Sequence, residues 1–209
     1  MISGRRRALF LLFAVAAFSV TRCVRAENPC ESATSKAVLV KAGEAGQKLR
    51  VRGTVYRPDG ATPAAGVIVY AYQTDANGHY ARSPDRTPRI RSWVRTDAGG
   101  HFELLTIRPG NYPNRSTEAH IHTELWGADA PPQWGPDLNF GDDELLRPDR
   151  RKESEALGRF GFVKSPVRGP DGVHETDWSI RLKAKGDFFE SNIRHGIEPC
   201  GVDAPFQRP

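Results

Sequence analysis

Apolar and polar side chains alternate along much of this chain, in short runs interrupted by Gly, Pro, Asp and Asn. Alternation with period two places every second side chain on one face of a strand. Gln47–Tyr56 (QKLRVRGTVY) has this pattern and runs into the turn-like Arg57-Pro58-Asp59-Gly60, which predicts a strand and its end. Gly66–Gln73 (GVIVYAYQ), rich in Val and Tyr, predicts a second strand, followed by a turn at Asp75-Ala76-Asn77-Gly78. Ile90–Thr96 predicts a third strand, and Asp97-Ala98-Gly99-Gly100 a tight turn into a further strand at His101–Thr106. A turn at Arg108-Pro109-Gly110-Asn111 precedes a strand at Ala119–Leu125, and Phe160–Val163 and Trp178–Leu182 complete the set. Only Asp142–Ala156 has helix-like composition, charged and short, while Pro131-Pro132 reads as loop.

Many short strands separated by turn residues predict an all-β fold, a β-sandwich of mostly antiparallel strands with long loops and one short helical segment. The 209 residues suffice for one domain with a real core. That domain is expected over 47–209, with 27–46 as an irregular arm lacking hydrophobic periodicity. Residues 1–26 read as a secretory signal: Arg5, Arg6 and Arg7 lead into the apolar run Ala8–Val20, and Ala26 offers a cleavage position. A membrane anchor is the competing reading, but the run falls short of the ~20 apolar residues a spanning helix needs.

The leader changes the charge argument. The chain has a formal net charge of +5, yet the first 26 residues hold five Arg and no acid. Without them, 25 basic side chains face 25 acidic ones. Basicity is then no argument for nucleic acid or an anionic membrane as partner. Export also implies an oxidising compartment, where Cys30 and Cys200 are expected to form a disulfide, the alternative being two free thiols.

The candidate chemistry follows the second and fourth turns and lies on the strand after the fourth. His120 and His122 form an H-x-H on a predicted strand, so both imidazoles share one face while Ile121 points to the core. Tyr80 follows one turn and Tyr112 another. Phenolate oxygen and imidazole nitrogen together suit a hard, highly charged cation such as Fe(3+), whose charge can ionise a phenol of ordinary pKa near 10. Zinc or copper would use the His pair but leave the two loop tyrosines unexplained. His79, His101, His174 and His195 lack partner spacing and read as surface or structural residues.

The segments GTVYRPDG (Gly53–Gly60), GVIVYAYQTDANGHY (Gly66–Tyr80), RTDAGGHFELLTIRPGNYP (Arg95–Pro113), AHIH (Ala119–His122) and LNFGDDELL (Leu138–Leu146) occur in an order that resembles the intradiol ring-cleavage dioxygenases, the catechol and protocatechuate 3,4-dioxygenase family. The resemblance implies a ferric site ligated by Tyr80, Tyr112, His120 and His122, with Tyr112 displaced on substrate binding. It implies O2-dependent opening of a small aromatic diol between its hydroxylated carbons, giving a cis,cis-muconate-type product, with no organic cofactor. No nucleic acid is expected as partner, and no membrane once the leader is gone; a homo-oligomer is compatible with the family. Two positions depart from the pattern. Where the family carries Arg-Pro ahead of the first His, this chain has Thr117-Glu118, and Arg115 is the nearest candidate for the missing cation. Where the family has a Gln near the next strand, this chain has Asp137. The alternative function is a secreted β-sandwich binding module that keeps the fold, with or without the metal, and lacks turnover.

Overall fold

A computed structural model describes residues 28–80, 87–127, 129–189 and 200. The expected leader and His195 lie outside these residues. Among the described residues, eleven strands form two mixed sheets, accompanied by one α-helix and one 3₁₀ turn. The first sheet contains β1 (Lys36–Val38), β2 (Lys48–Tyr56), β5 (His101–Ile107), β10 (Val167–Arg168) and β11 (His174–Arg181), in the order β1-β5-β2-β11-β10. The second contains β3 (Ile68–Gln73), β4 (Ile90–Arg95), β6 (His120–Gly127), β8 (Leu138–Phe140) and β9 (Val163–Lys164), in the order β4-β3-β6-β8-β9, with β7 (Ala130–Trp134) paired to β6. The helix α1 (Pro148–Ala156) starts with Pro at its first position, where a missing N–H costs nothing.

Alternation decides what each sheet buries. On β2, Leu49, Val51 and Val55 enter the core while Arg50 and Arg52 face out to Glu175. They meet Val69 and Ala71 of β3, Leu104 of β5, Ile121 and Leu125 of β6, and Trp178 and Ile180 of β11 between the sheets. The second sheet is buried on its outer face as well. There Ile68, Tyr70, Tyr72 and Trp126 form a second cluster with the Cys30–Cys200 disulfide. Burial on both sides explains why β3 reads as a near-continuous apolar run. The disulfide pairs the two cysteines expected from the sequence and closes a loop of 170 residues.

Three elements differ from the sequence expectation. The arm supplies β1, which pairs in parallel with β5 and sends Leu39 into the core; three residues are too few for a hydrophobic period to register. Pro131 and Pro132 lie in β7, not in a loop; β7 pairs only with β6, and an edge strand needs no inward N–H from Pro. Gly158–Phe160 is a 3₁₀ turn, so the strand expected at Phe160 begins later, at Val163.

Candidate metal centre

The centre lies on the outer face of the second sheet, at the start of β6. His120 and His122 project from that face, and Ile121 between them is fully buried in the core. The Nε2 atoms of the two rings are 2.8 Å apart. The phenol oxygen of Tyr80 is 2.9 Å from that of Tyr112 and 3.5 Å from His120 Nε2. The structure therefore brings together all four residues singled out in the sequence, each by its ligating atom.

The two tyrosines arrive on turns that brace each other. Asp75 folds the first turn by accepting Asn77 N–H and His79 N–H on its carboxylate and Gly78 N–H on its carbonyl. Gly110 of the second turn donates its N–H to the Asp75 carbonyl, and its own carbonyl accepts the Thr74 hydroxyl. A Cβ on Gly110 would lie 2.4 Å from the Ala76 oxygen, so only glycine permits this approach. Asp143 then ties the second turn to the histidine strand. Its carboxylate accepts Asn111 Nδ2 at 3.2 Å, Ala119 N–H at 2.8 Å and Leu145 N–H at 2.8 Å.

The hydrogen bonds also settle what the imidazoles present to one another. His120 Nδ1 is 2.7 Å from the Glu118 carbonyl, which only accepts, so this nitrogen donates. His122 Nδ1 is 2.7 Å from the Asp137 carboxylate and donates likewise. In the neutral rings both Nε2 atoms are then bare lone pairs facing each other at 2.8 Å. Two lone pairs at that distance repel unless a cation or a proton stands between them. Burial holds the His120 imidazolium below its ordinary pKa, with His122 as the second cause, which disfavours the proton. Burial also pushes the Tyr80 phenol far above its usual range, and the Tyr112 hydrogen bond adds to this. Ionising that phenol requires a strong local positive charge. The donor set thus fits a highly charged metal ion.

His120, His122 and Asp137 place ligating atoms within 4.8 Å of one another, which by count suggests a two-histidine, one-carboxylate centre. The bonding argues against it: Asp137 occupies the Nδ1 edge of His122, away from the facing Nε2 atoms. Asp137 thus stands behind His122, on the edge of the ring away from the other donors. A cleft of about 640 Å³ opens beside His122, walled by Trp134 and Asp137 and by the cations Arg150, Arg181 and Lys183. Another depression, of about 400 Å³, lies across β2, β5 and β11 and contains none of the four donors.

Arg115 is not brought to the four donors. It takes a left-handed backbone conformation at φ 53°, and its guanidinium pairs with Glu144 at 2.6 Å, with 62% of the side chain exposed. His79 is also exposed, near Asp75. Sequence reasoning passed over Asp143 and Arg150 and noted Asp137 only as a departure. Arg150 comes from α1, lies 4.3 Å over the Phe162 ring and reaches the cleft beside His122. No sequence spacing links a helix to a strand thirty residues earlier. Asp143 lies within a resembling segment, but its role shows only in the backbone groups it gathers.

A two-sheet β-sandwich that gathers two phenols and two imidazoles from converging loops and a strand is a scaffold suited to a single metal ion. The family model described as Dioxygenase matches residues 25–184. The chain belongs to the intradiol ring-cleavage dioxygenase family, whose members use non-haem iron and act on catechols with O2. It is 35% identical over 101 residues to the protocatechuate 3,4-dioxygenase beta chain of Burkholderia cepacia, covering 42% of this chain and 43% of that one. The chain thus spans under half the length of this curated relative. Among solved structures, the dioxygenase domain of a dioxygenase–carbohydrate-binding fusion from Streptomyces sp. SirexAA-E superposes with a TM-score of 0.54 at 25% identity, over 69% of this chain and 85% of that one. An intradiol ring-cleavage dioxygenase from Tetranychus urticae shares the fold with a TM-score of 0.53 at 17% identity, over 73% and 88% of the two chains.

Proposed function

We propose that this protein is an exported, ferric intradiol dioxygenase that opens a catechol-type ring between its two hydroxylated carbons with O2, giving a cis,cis-muconate-type product. Tyr80, Tyr112, His120 and His122 hold the iron. The observation that carries the reading is the meeting of two bare imidazole nitrogens, 2.8 Å apart, with two phenol oxygens 2.9 Å apart. Bound there, a ferric ion supplies Lewis-acid activation of a bound catecholate.

The chain's own residues do the rest. By the family pattern Tyr112 would be the phenol that gives way and accepts a proton from the incoming diol; its hydroxyl is held in the structure by that of Tyr80 at 2.9 Å. Buried His120 and stacked His122 stay in place. The cleft beside His122 has the volume for a ring, and Arg181 and Lys183 on its wall would offset negative charge on a bound diol, whereas Arg150 is already paired with Glu153. Arg115 joins this role only in a conformation that leaves Glu144. The disulfide supports an oxidising compartment.

Metal analysis with a visible spectrum of the purified protein tests the site. Iron and a reddish-brown tyrosinate charge-transfer band are expected, bleached by Tyr80→Phe or His122→Ala. Zinc or no metal after iron-replete expression, in colourless protein, overturns the ferric reading. Oxygen uptake across a panel of catechols tests turnover. Colour without uptake would favour a metal-bearing binding module instead.

A further inference from the structure

The two histidines are held by unequal partners. His120 donates Nδ1–H to a neutral backbone carbonyl, whereas His122 donates to the carboxylate of Asp137, both at 2.7 Å. The carboxylate is delivered by a turn built onto the histidine strand itself. Gly135 N–H donates to the Thr123 carbonyl at 2.9 Å, and the Thr123 hydroxyl donates to the Pro136 carbonyl at 3.1 Å. Thr123 is the residue after His122 and is fully buried. A Cβ on Gly135 would fall 2.2 Å from the Thr123 hydroxyl oxygen, so this turn closes only around glycine. On the ring's other side, Tyr72 stacks on His122 with centroids 4.6 Å apart and planes 29° apart. Ring plane, tautomer and acceptor are therefore all fixed by β6, the turn built onto it and its neighbour β3.

We propose that Asp137 is a positioning residue that makes His122 the stronger of the two imidazole donors and biases the centre toward a trivalent cation; the cation preference rests on the ferric reading above. A carboxylate on Nδ1–H locks the proton there, keeps Nε2 as a lone pair and polarises the ring toward it. It also adds charge. Two phenolates and Asp137 together carry three formal negative charges, which neutralise a trivalent ion and leave a divalent one overcompensated. The Glu118 carbonyl behind His120 gives orientation without that charge.

The experiment compares wild type with Asp137→Asn, which keeps an acceptor and drops the charge, and with Asp137→Ala, which drops both. Folding of each is checked by its thermal transition. Ferric nitrilotriacetate and zinc chloride are titrated into metal-free protein. Asp137→Asn is expected to lose roughly 10–100-fold in ferric affinity and distinctly less in zinc affinity, with its charge-transfer band moved to longer wavelength. Ferric affinity within about threefold of wild type, together with an unmoved band, would overturn the charge argument. Nitrogen-15 NMR of His122 in metal-free protein gives the second reading. Wild type and Asp137→Asn are expected to show Nδ1–H alone, and Asp137→Ala a tautomer mixture; one tautomer in all three would overturn the positioning argument. If wild type binds no ferric ion, the ferric reading and the cation bias fail together, while the NMR comparison still decides whether Asp137 orients His122.

Discussion

Gly78 backs directly onto Asn111: a Cβ on Gly78 would lie 1.9 Å from the Asn111 carbonyl oxygen. Gly78 also has φ +82°, a conformation that costs an L side chain about 1–2 kcal/mol. These residues belong to the turns that deliver Tyr80 and Tyr112, so their contact sets the distance between the two phenols. Gly78→Ala is expected to lower stability by roughly 2–4 kcal/mol in denaturant titration. In protein that still folds, the tyrosinate band should weaken, because the first turn must retreat from the second. Unchanged stability and colour would show that the contact is slack.

Asp143 is expected to matter more than its surface neighbour Asp142. Asp143 is 9% exposed and gathers three N–H groups from the Tyr112 turn, the start of β6 and its own loop. Asp142, with a side chain 63% exposed, pairs with Arg108. Asp143→Ala leaves those donors unpaired at a cost of roughly 2–4 kcal/mol and should weaken metal binding, since the turn and strand lose their common anchor. Asp142→Ala should cost no more than about 1 kcal/mol, as exposed ion pairs do. Equal losses in the two variants would argue against Asp143 as an anchor.

Arg115 provides a test of the missing cation. Its pair with Glu144 is exposed on both sides, so Arg115→Ala should change stability by less than about 1 kcal/mol. The charge-transfer spectrum should not move. If Arg115 leaves Glu144 to face the bound ring, the variant should lose turnover with its colour intact, and Glu144→Ala should raise it. If neither variant alters oxygen uptake, the cations of the cleft carry the whole role.

The disulfide should be a major contributor to stability. Joining Cys30 to Cys200 closes 170 residues, for which chain entropy gives at most about 5 kcal/mol. The double variant Cys30→Ser, Cys200→Ser should show a lowered denaturation midpoint. It should also loosen the aromatic cluster over Tyr70 and Tyr72, seen as greater quenching of Trp fluorescence. Unreduced wild type should contain no thiol reactive at these positions.

Several features follow from local rules and were legible in the chain. Period-two alternation marked β2 and β5, because a strand half-buried in a sandwich needs that pattern, and a Val- and Tyr-rich run marked β3. The H-x-H spacing placed two imidazoles on one face for the same reason, and Ile121 in the core. Turn residues at Asp75–Gly78 and Arg108–Asn111 marked the points from which Tyr80 and Tyr112 emerge. Other features depend on contacts between segments far apart in the chain, to which local pattern is blind. Residues 36–38 become a strand because β5 offers an open edge, and Pro131-Pro132 becomes one because β6 does. Asp137 lies behind His122 because Gly135 and Pro136 fasten onto Thr123, and Arg115 turns outward because Glu144 waits on a neighbouring loop. Residue types and their local geometry were written in the order of the amino acids. The meeting of two phenol oxygens and two imidazole nitrogens, with the carboxylates of Asp137 and Asp143 beside them, arose when strands and loops far apart in sequence packed together, since only close packing sets distances between groups so separated.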